Sequence, residues 1–326
     1  MGIFDIDFDN IVINKDTVED RTVYTIDNFY KYPRAILQYY RQNEGSKGGD
    51  RFTYPGTRIA GEADNSLEAS QFNKLLEIIG FDMSRVVPDS YHFFTSKLIP
   101  QNLKTNLDPY DDLIPSDRFS KLVAFAHTDS IRHYERFSKL GAVCYLSRQS
   151  HGGTGIYLDK RTGAYSDLGV EPFIDYMNGK CKHFESEDIL SEMERTPNKE
   201  KRKELWNKGV KEFQNILFPP HRTGFMSKSD DTYELLYLFP MKFNRLALYE
   251  GDLNHVMYVE DVNFWKTNER ITSNYFVHIK WGLSPDGESV DDEFNRVNER
   301  RDRLNKATGG AWLSGEEGWQ RAIWRL

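Results

Sequence analysis

Three residues in this chain have the types and spacing to hold a metal ion. His127-Thr128-Asp129 leaves an apolar run, Leu122-Val123-Ala124-Phe125-Ala126, that reads as a strand. A histidine, one spacer and a carboxylate at a strand end present two metal ligands together. Taken alone, such a triplet more often marks a surface loop. A second histidine gives it meaning. The buried strand Asn244 to Tyr249 is followed by a tight turn, and His255 opens the next strand. His127, Asp129 and His255 would then form a face of two imidazoles and one carboxylate. That set holds Fe(II) without saturating it, leaving positions for a chelating small molecule and oxygen.

A fourth residue suggests what the chelate would be. On a strand, Arg270, Thr272, Asn274 and Phe276 point one way and Ile271, Tyr275, Val277 and Ile279 the other. An arginine turned into a barrel needs an anion. A guanidinium fork with a hydroxyl two residues on suits the far carboxylate of a dicarboxylate such as 2-oxoglutarate. Tyr145, central in the strand after the His-x-Asp triplet, is a further candidate for that carboxylate, with core packing as the alternative.

As a set, His127-x-Asp129, the run Gly152-Gly153-Thr154-Gly155-Ile156-Tyr157, His255 and Arg270-x-Thr272 resemble the Fe(II)/2-oxoglutarate-dependent oxygenases over roughly Phe119 to Trp281. Asp27-Asn28-Phe29 ahead of Pro33, and Tyr54-Pro55-Gly56-x-Arg58, also look like a bacterial oxygenase-like family of unknown function. The resemblance implies Fe(II) on His127, Asp129 and His255. It implies 2-oxoglutarate as co-substrate on Arg270, helped by Thr272, and hydroxylation of an unactivated C–H bond with molecular oxygen. Halogenating relatives carry a small residue where Asp129 stands, so the carboxylate favours hydroxylation. The expected substrate is a small molecule, an amino acid or a natural-product intermediate. Two rival readings remain: a non-catalytic jelly-roll binding protein, and a cupin-type metalloenzyme that does not use 2-oxoglutarate. Only the 2-oxoglutarate enzyme requires a buried cation facing the metal.

The elements that must position these residues are predicted as follows. The class is α+β with a mainly β core, a double-stranded β-helix or jelly roll, in one domain spanning 1–326. Helical support occupies about 1–89, with Val23 to Ile26 as a strand, a helix after Pro33, and a second helix carrying Phe72, Leu75, Leu76 and Ile79 and stopped by Gly80. Asn65 is the expected cap of that second helix. The core runs over about 90–281, with strands at Ser90 to Leu98, Phe119 to His127, Gly141 to Arg148, Gly155 to Leu158, Tyr233 to Phe239, Arg245 to Tyr249, His255 to Val259 and Ile271 to Trp281. A helical insertion at about 159–230 interrupts it. Together with the 45–60 loop, that insertion is expected to wall the substrate site. The tail, 282–326, carries an amphipathic helix whose stripe of Val290, Phe294, Val297 and Leu304 has two available partners, the barrel or a second copy in a homodimer.

Composition excludes other classes. The chain has 326 residues, 39% hydrophobic and 14% aromatic, enough for a sizeable core. Its net charge of −7 argues against a nucleic-acid partner. No apolar run approaches the roughly 18 to 20 residues of a membrane helix. The acidic N-terminus does not read as a secretory signal, and Cys144 and Cys181 lack metal or disulfide spacing. A cytoplasmic setting is expected. Of the remaining candidates, His133 and Arg132 read as loop residues, His151 as a turn residue, His278 as a satisfied strand histidine, and Arg58 as a surface ion pair.

Overall fold

The structure, a computed structural model, describes residues 2–42, 56–60, 66–98, 126–129, 137–166, 171–217, 226–261 and 270–281, and 264, 268, 295 and 299 singly. The chain divides into two compact units, one of Met1–Ser130, Phe137–Ser166 and Thr223–Lys280, the other of Ile131–Arg136, Asp167–Arg222 and Trp281–Leu326. The fold is mixed α+β, with mostly antiparallel sheets and a few helices. No helix among the described residues is long and apolar enough to cross a membrane.

In the first unit the strands are β1 (Val12–Val18), β2 (Arg21–Asp27), β3 (Gly56–Ala60), β4 (Val86–Leu98), β5 (Ser138–Tyr145), β6 (Gly153–Asp159), β7 (Tyr233–Pro240), β8 (Arg245–Glu250), β9 (His255–Tyr258) and β10 (Arg270–Ile279). They form a seven-stranded sheet in the order β1-β2-β8-β5-β10-β4-β3 and a three-stranded sheet in the order β7-β6-β9. Residues 12–27 add two strands at one edge of the large sheet, and 56–60 adds one at the other, where a loop was expected.

The helices of this unit are α1 (Pro33–Gln42) and α2 (Ser66–Ile78). Proline suits the first turn of α1, and Ile36, Leu37 and Tyr40 are buried along one stripe. Gly80 ends α2 with φ of 74°. Its N–H reaches Glu77 O at 3.0 Å and the Phe81 N–H reaches Leu76 O at 2.9 Å, so two orphan carbonyls are satisfied. Asn65, its expected cap, lies outside the described residues.

Strand alternation divides the core in two. Leu140, Ala142 and Cys144 of β5, Leu246 and Leu248 of β8, and Ile271, Tyr275 and Val277 of β10 pack with the stripes of α1 and α2. Their neighbours Tyr145, Ala247 and Tyr249 join Ile156 of β6, Phe239 of β7 and Leu253 in a separate cluster shared by the two sheets. Within the small sheet, β6 and β7 approach closely at Gly153, where a Cβ would stand 1.9 Å from Phe239 O.

The second unit holds α3 (Glu171–Met177), α4 (Ile189–Arg195) and α5 (Lys199–Leu217). Phe173, Met177, Ile189, Met193, Trp206 and Phe213 make its core. The cap of α5 is Asn198, whose Oδ1 accepts from the N–H groups of Glu200 and Lys201 at 2.9 and 3.1 Å. The helix α4 was not predicted. Of the expected tail helix only Asn295 and Glu299 are described.

Candidate metal centre

The three residues singled out by type and spacing converge. One ligand atom from each of His127, Asp129 and His255 lies within 4.8 Å of the others, which makes a group that could hold a metal ion. The expected strand through 119–125 lies outside the described residues. At Ala126–Asp129 the chain runs beside β9. His127 N–H donates to His255 O at 3.0 Å and His255 N–H donates to His127 O at 2.8 Å, a reciprocal antiparallel bridge. The two rings consequently stand 4.7 Å apart. Asp129 is tied to the turn ahead of β9 by its own N–H, which donates to Gly251 O at 2.6 Å.

The surroundings orient each ligand. His255 Nδ1 lies 2.9 Å from Leu253 O. A carbonyl only accepts, so this contact puts the proton on Nδ1 and leaves Nε2 as the metal-facing atom. Asp129 Oδ2 stands 3.2 Å from that Nε2, with 24% of the Asp129 side chain accessible against 7% for His255. Burial disfavours the Asp129 carboxylate. The nearby His255, its hydrogen bond, and the charges of His127 and Lys139 outweigh that and bring the pKa down to about 2. Burial likewise works against charge on His255, and Asp129 raises its pKa. Lys139 Nζ also donates to Asp129 O at 2.6 Å.

Arg270, Thr272 and Tyr145 share one face of the large sheet. Thr272 stands directly opposite Tyr145 in the β10–β5 ladder. Arg270 is only 4% exposed, and Thr272 and Tyr145 are buried as well. Tyr145 Oη donates to Thr154 Oγ1 at 2.8 Å. Burial pushes this phenol up to about 12, with the Thr154 hydrogen bond, Arg270 and Arg245 pulling the other way.

Tyr249 lies against the triad and was not singled out from sequence. Its ring lies 4.8 Å from that of His255. Burial raises its phenol, Asp129 and Tyr145 raise it further, and Arg270 opposes them. One buried side chain thus feels both the carboxylate of the triad and the buried arginine. The signal was available: Tyr249 alternates with Leu248 and so faces with Ala247, toward the second sheet. Gly251 and the Leu253 carbonyl were missed too, because backbone groups leave no residue-type signature.

The other candidates are not among the grouped ligand residues. The His151 ring stacks on Phe264 at 4.2 Å, and its Nε2 accepts from Asp261 N–H at 3.0 Å. His278 is half-buried near Phe137. His133, Arg132 and the Arg58 side chain lie outside the described residues.

No family model matches this chain, and no curated protein matches it. Among solved structures, the crystal structure of EvdO2 from Micromonospora carbonacea var. aurantiaca is similar over 86% of this chain and 98% of its own. The identity is 10% and the TM-score 0.37, a likeness too slight to bear on fold or function.

Proposed function

We propose that this chain is an Fe(II)/2-oxoglutarate-dependent oxygenase of jelly-roll type that hydroxylates a small molecule. The observation that carries the reading is the convergence of His127, Asp129 and His255, with the His255 tautomer set by Leu253 O. The donor set fits a ferrous ion: two imidazoles and a carboxylate held ionised by its surroundings. When bound there with 2-oxoglutarate, such an ion supplies the oxygen activation that C–H hydroxylation needs.

The chain's own residues would do the rest. Arg270 would pair with the far carboxylate of the co-substrate, and Thr272 beside it offers a hydroxyl. A dicarboxylate laid between Arg270 and the triad would pass Tyr249, whose phenol feels charges at both ends. The buried faces of Tyr145, Tyr249 and Phe239 would exclude water from that path. The jelly-roll assignment is supported by two antiparallel sheets sharing one apolar cluster that includes Tyr145 and Tyr249.

The test is anaerobic addition of Fe(II) and 2-oxoglutarate while recording visible absorption. A charge-transfer band that is lost in His127→Ala and His255→Ala supports the proposal. Folded wild-type protein giving no band would overturn it.

A further inference from the structure

The turn that carries the candidate metal centre is itself braced by a buried ion pair. Residues 251–254 hold two ligands through main-chain oxygens: Gly251 O accepts from Asp129 N–H, and Leu253 O faces His255 Nδ1. Between them stands Asp252, only 4% exposed. Its Oδ2 accepts from Arg21 Nη2 of β2 at 3.1 Å. Arg21 Nη1 donates to Asp20 Oδ2 at 3.2 Å, and Asp20 Oδ1 accepts from Tyr165 Oη at 2.7 Å. The circuit closes on the turn, because Asn254 N–H donates to Tyr165 O at 2.8 Å.

A pair built for stability alone would look different. Replacing a buried ion pair by apolar groups is often neutral or stabilising. This one makes a single hydrogen bond. Asp252 Oδ1 and Arg21 Nε are buried with no hydrogen-bond partner among the described residues. Burial also raises the Asp252 carboxyl even with Arg21 alongside. What the pair adds is a side-chain tie from the turn itself to β2, between the two carbonyls that aim ligands.

We propose that the Arg21–Asp252 pair is a positioning device for the metal centre, setting the 251–254 turn and through it the placement of Asp129 and the ring orientation of His255. This rests on the metal-binding reading above.

The test is titration of the full chain with Co(II), read by its visible d–d bands, alongside thermal melting. Asp252→Ala should weaken Co(II) binding about 10-fold or more and alter the bands, as loss of an outer partner does at metal sites. Asp252→Asn keeps an oxygen for Arg21 and should recover most of the affinity. Ile36→Val, a cavity in the cluster around α1, lowers the melting temperature without touching the turn and should leave Co(II) affinity unchanged. If Asp252→Ala does not fold, Arg21→Gln removes the same pair from its less buried side. Wild-type Co(II) affinity in either folded variant would overturn the positioning role while leaving the metal site intact. Failure of the wild type to bind Co(II) would instead overturn the metal reading itself.

Discussion

In the metal-free protein, Asp129→Asn should cost stability in a pH window that the site dictates. The substitution keeps shape and removes charge. Burial alone would raise the Asp129 carboxyl, yet His255, with His127 and Lys139, holds it at about 2 against an ordinary 3.8. At about 1.4 kcal/mol per pKa unit, that difference is worth about 2 kcal/mol of folding free energy. His255 reports the same interaction from the other side: burial would lower its pKa, and Asp129 raises it above 6.5. The two shifts describe one pair and are counted once. A depressed carboxyl stabilises the fold above its unfolded value of 3.8 and loses that contribution as pH falls through about 2. A raised imidazole stabilises it below 6.5 and loses that contribution as pH rises through the folded value. The contribution is therefore fullest between about pH 4 and 6.5. Urea unfolding of chelator-treated protein should show wild type ahead of Asp129→Asn by about 2 kcal/mol near pH 5.5, with the gap shrinking by about pH 8.5. A gap that stays flat across that interval would refute the pairing of Asp129 with a charged His255.

Three further outcomes are expected. Gly251→Ala puts a methyl 3.1 Å from both Asp129 Cβ and Lys139 O, so Asp129 must shift by a few tenths of an ångström. Calorimetric titration should show Co(II) affinity falling about 10-fold. Arg270→Ala should keep Co(II) binding but abolish the Fe(II) and 2-oxoglutarate charge-transfer band, and Arg270→Lys, lacking the planar fork, should restore it only in part at high co-substrate. Trp206→Ala empties the centre of the cluster formed by α3, α4 and α5 and should cost about 3–5 kcal/mol, measured by the urea midpoint of the helical signal.

What could be read from the sequence follows from what each element buries. The stripes Ile36-Leu37-Tyr40 and Phe72-Leu75-Leu76 are buried on one side only, so their helical period survives in the sequence. β8 is covered on both faces and appears as an apolar run, whereas β10, equally buried, sets polar Arg270, Thr272 and Asn274 against apolar Ile271, Tyr275 and Val277. β1 is an edge strand, exposed at Val12, Asn14, Lys15, Asp16 and Thr17, so it carries no alternation to detect. The seven residues of α4 are too few for a period to stand out, although Asp188 caps them through Ser191 N–H. At the site, side chains with distinctive chemistry were legible. The oxygens of Gly251 and Leu253, which aim two of them, were not, because any residue supplies a carbonyl.

The triad also explains why the one-residue spacer in His127-x-Asp129 matters. His127 and His255 exchange both backbone hydrogen bonds, and directly opposed residues in such a ladder project to the same side. Asp129, two residues on, returns to that side. Its N–H is caught by Gly251, four residues before His255, so both ends of the short 127–129 segment are tied to the same 251–255 stretch. Three backbone hydrogen bonds thus join ligands that are far apart in the chain. In extended backbone a second spacer residue would turn the carboxylate to the opposite face. The geometry of the centre is therefore set by a short antiparallel ladder and by whatever holds the 251–254 turn in place.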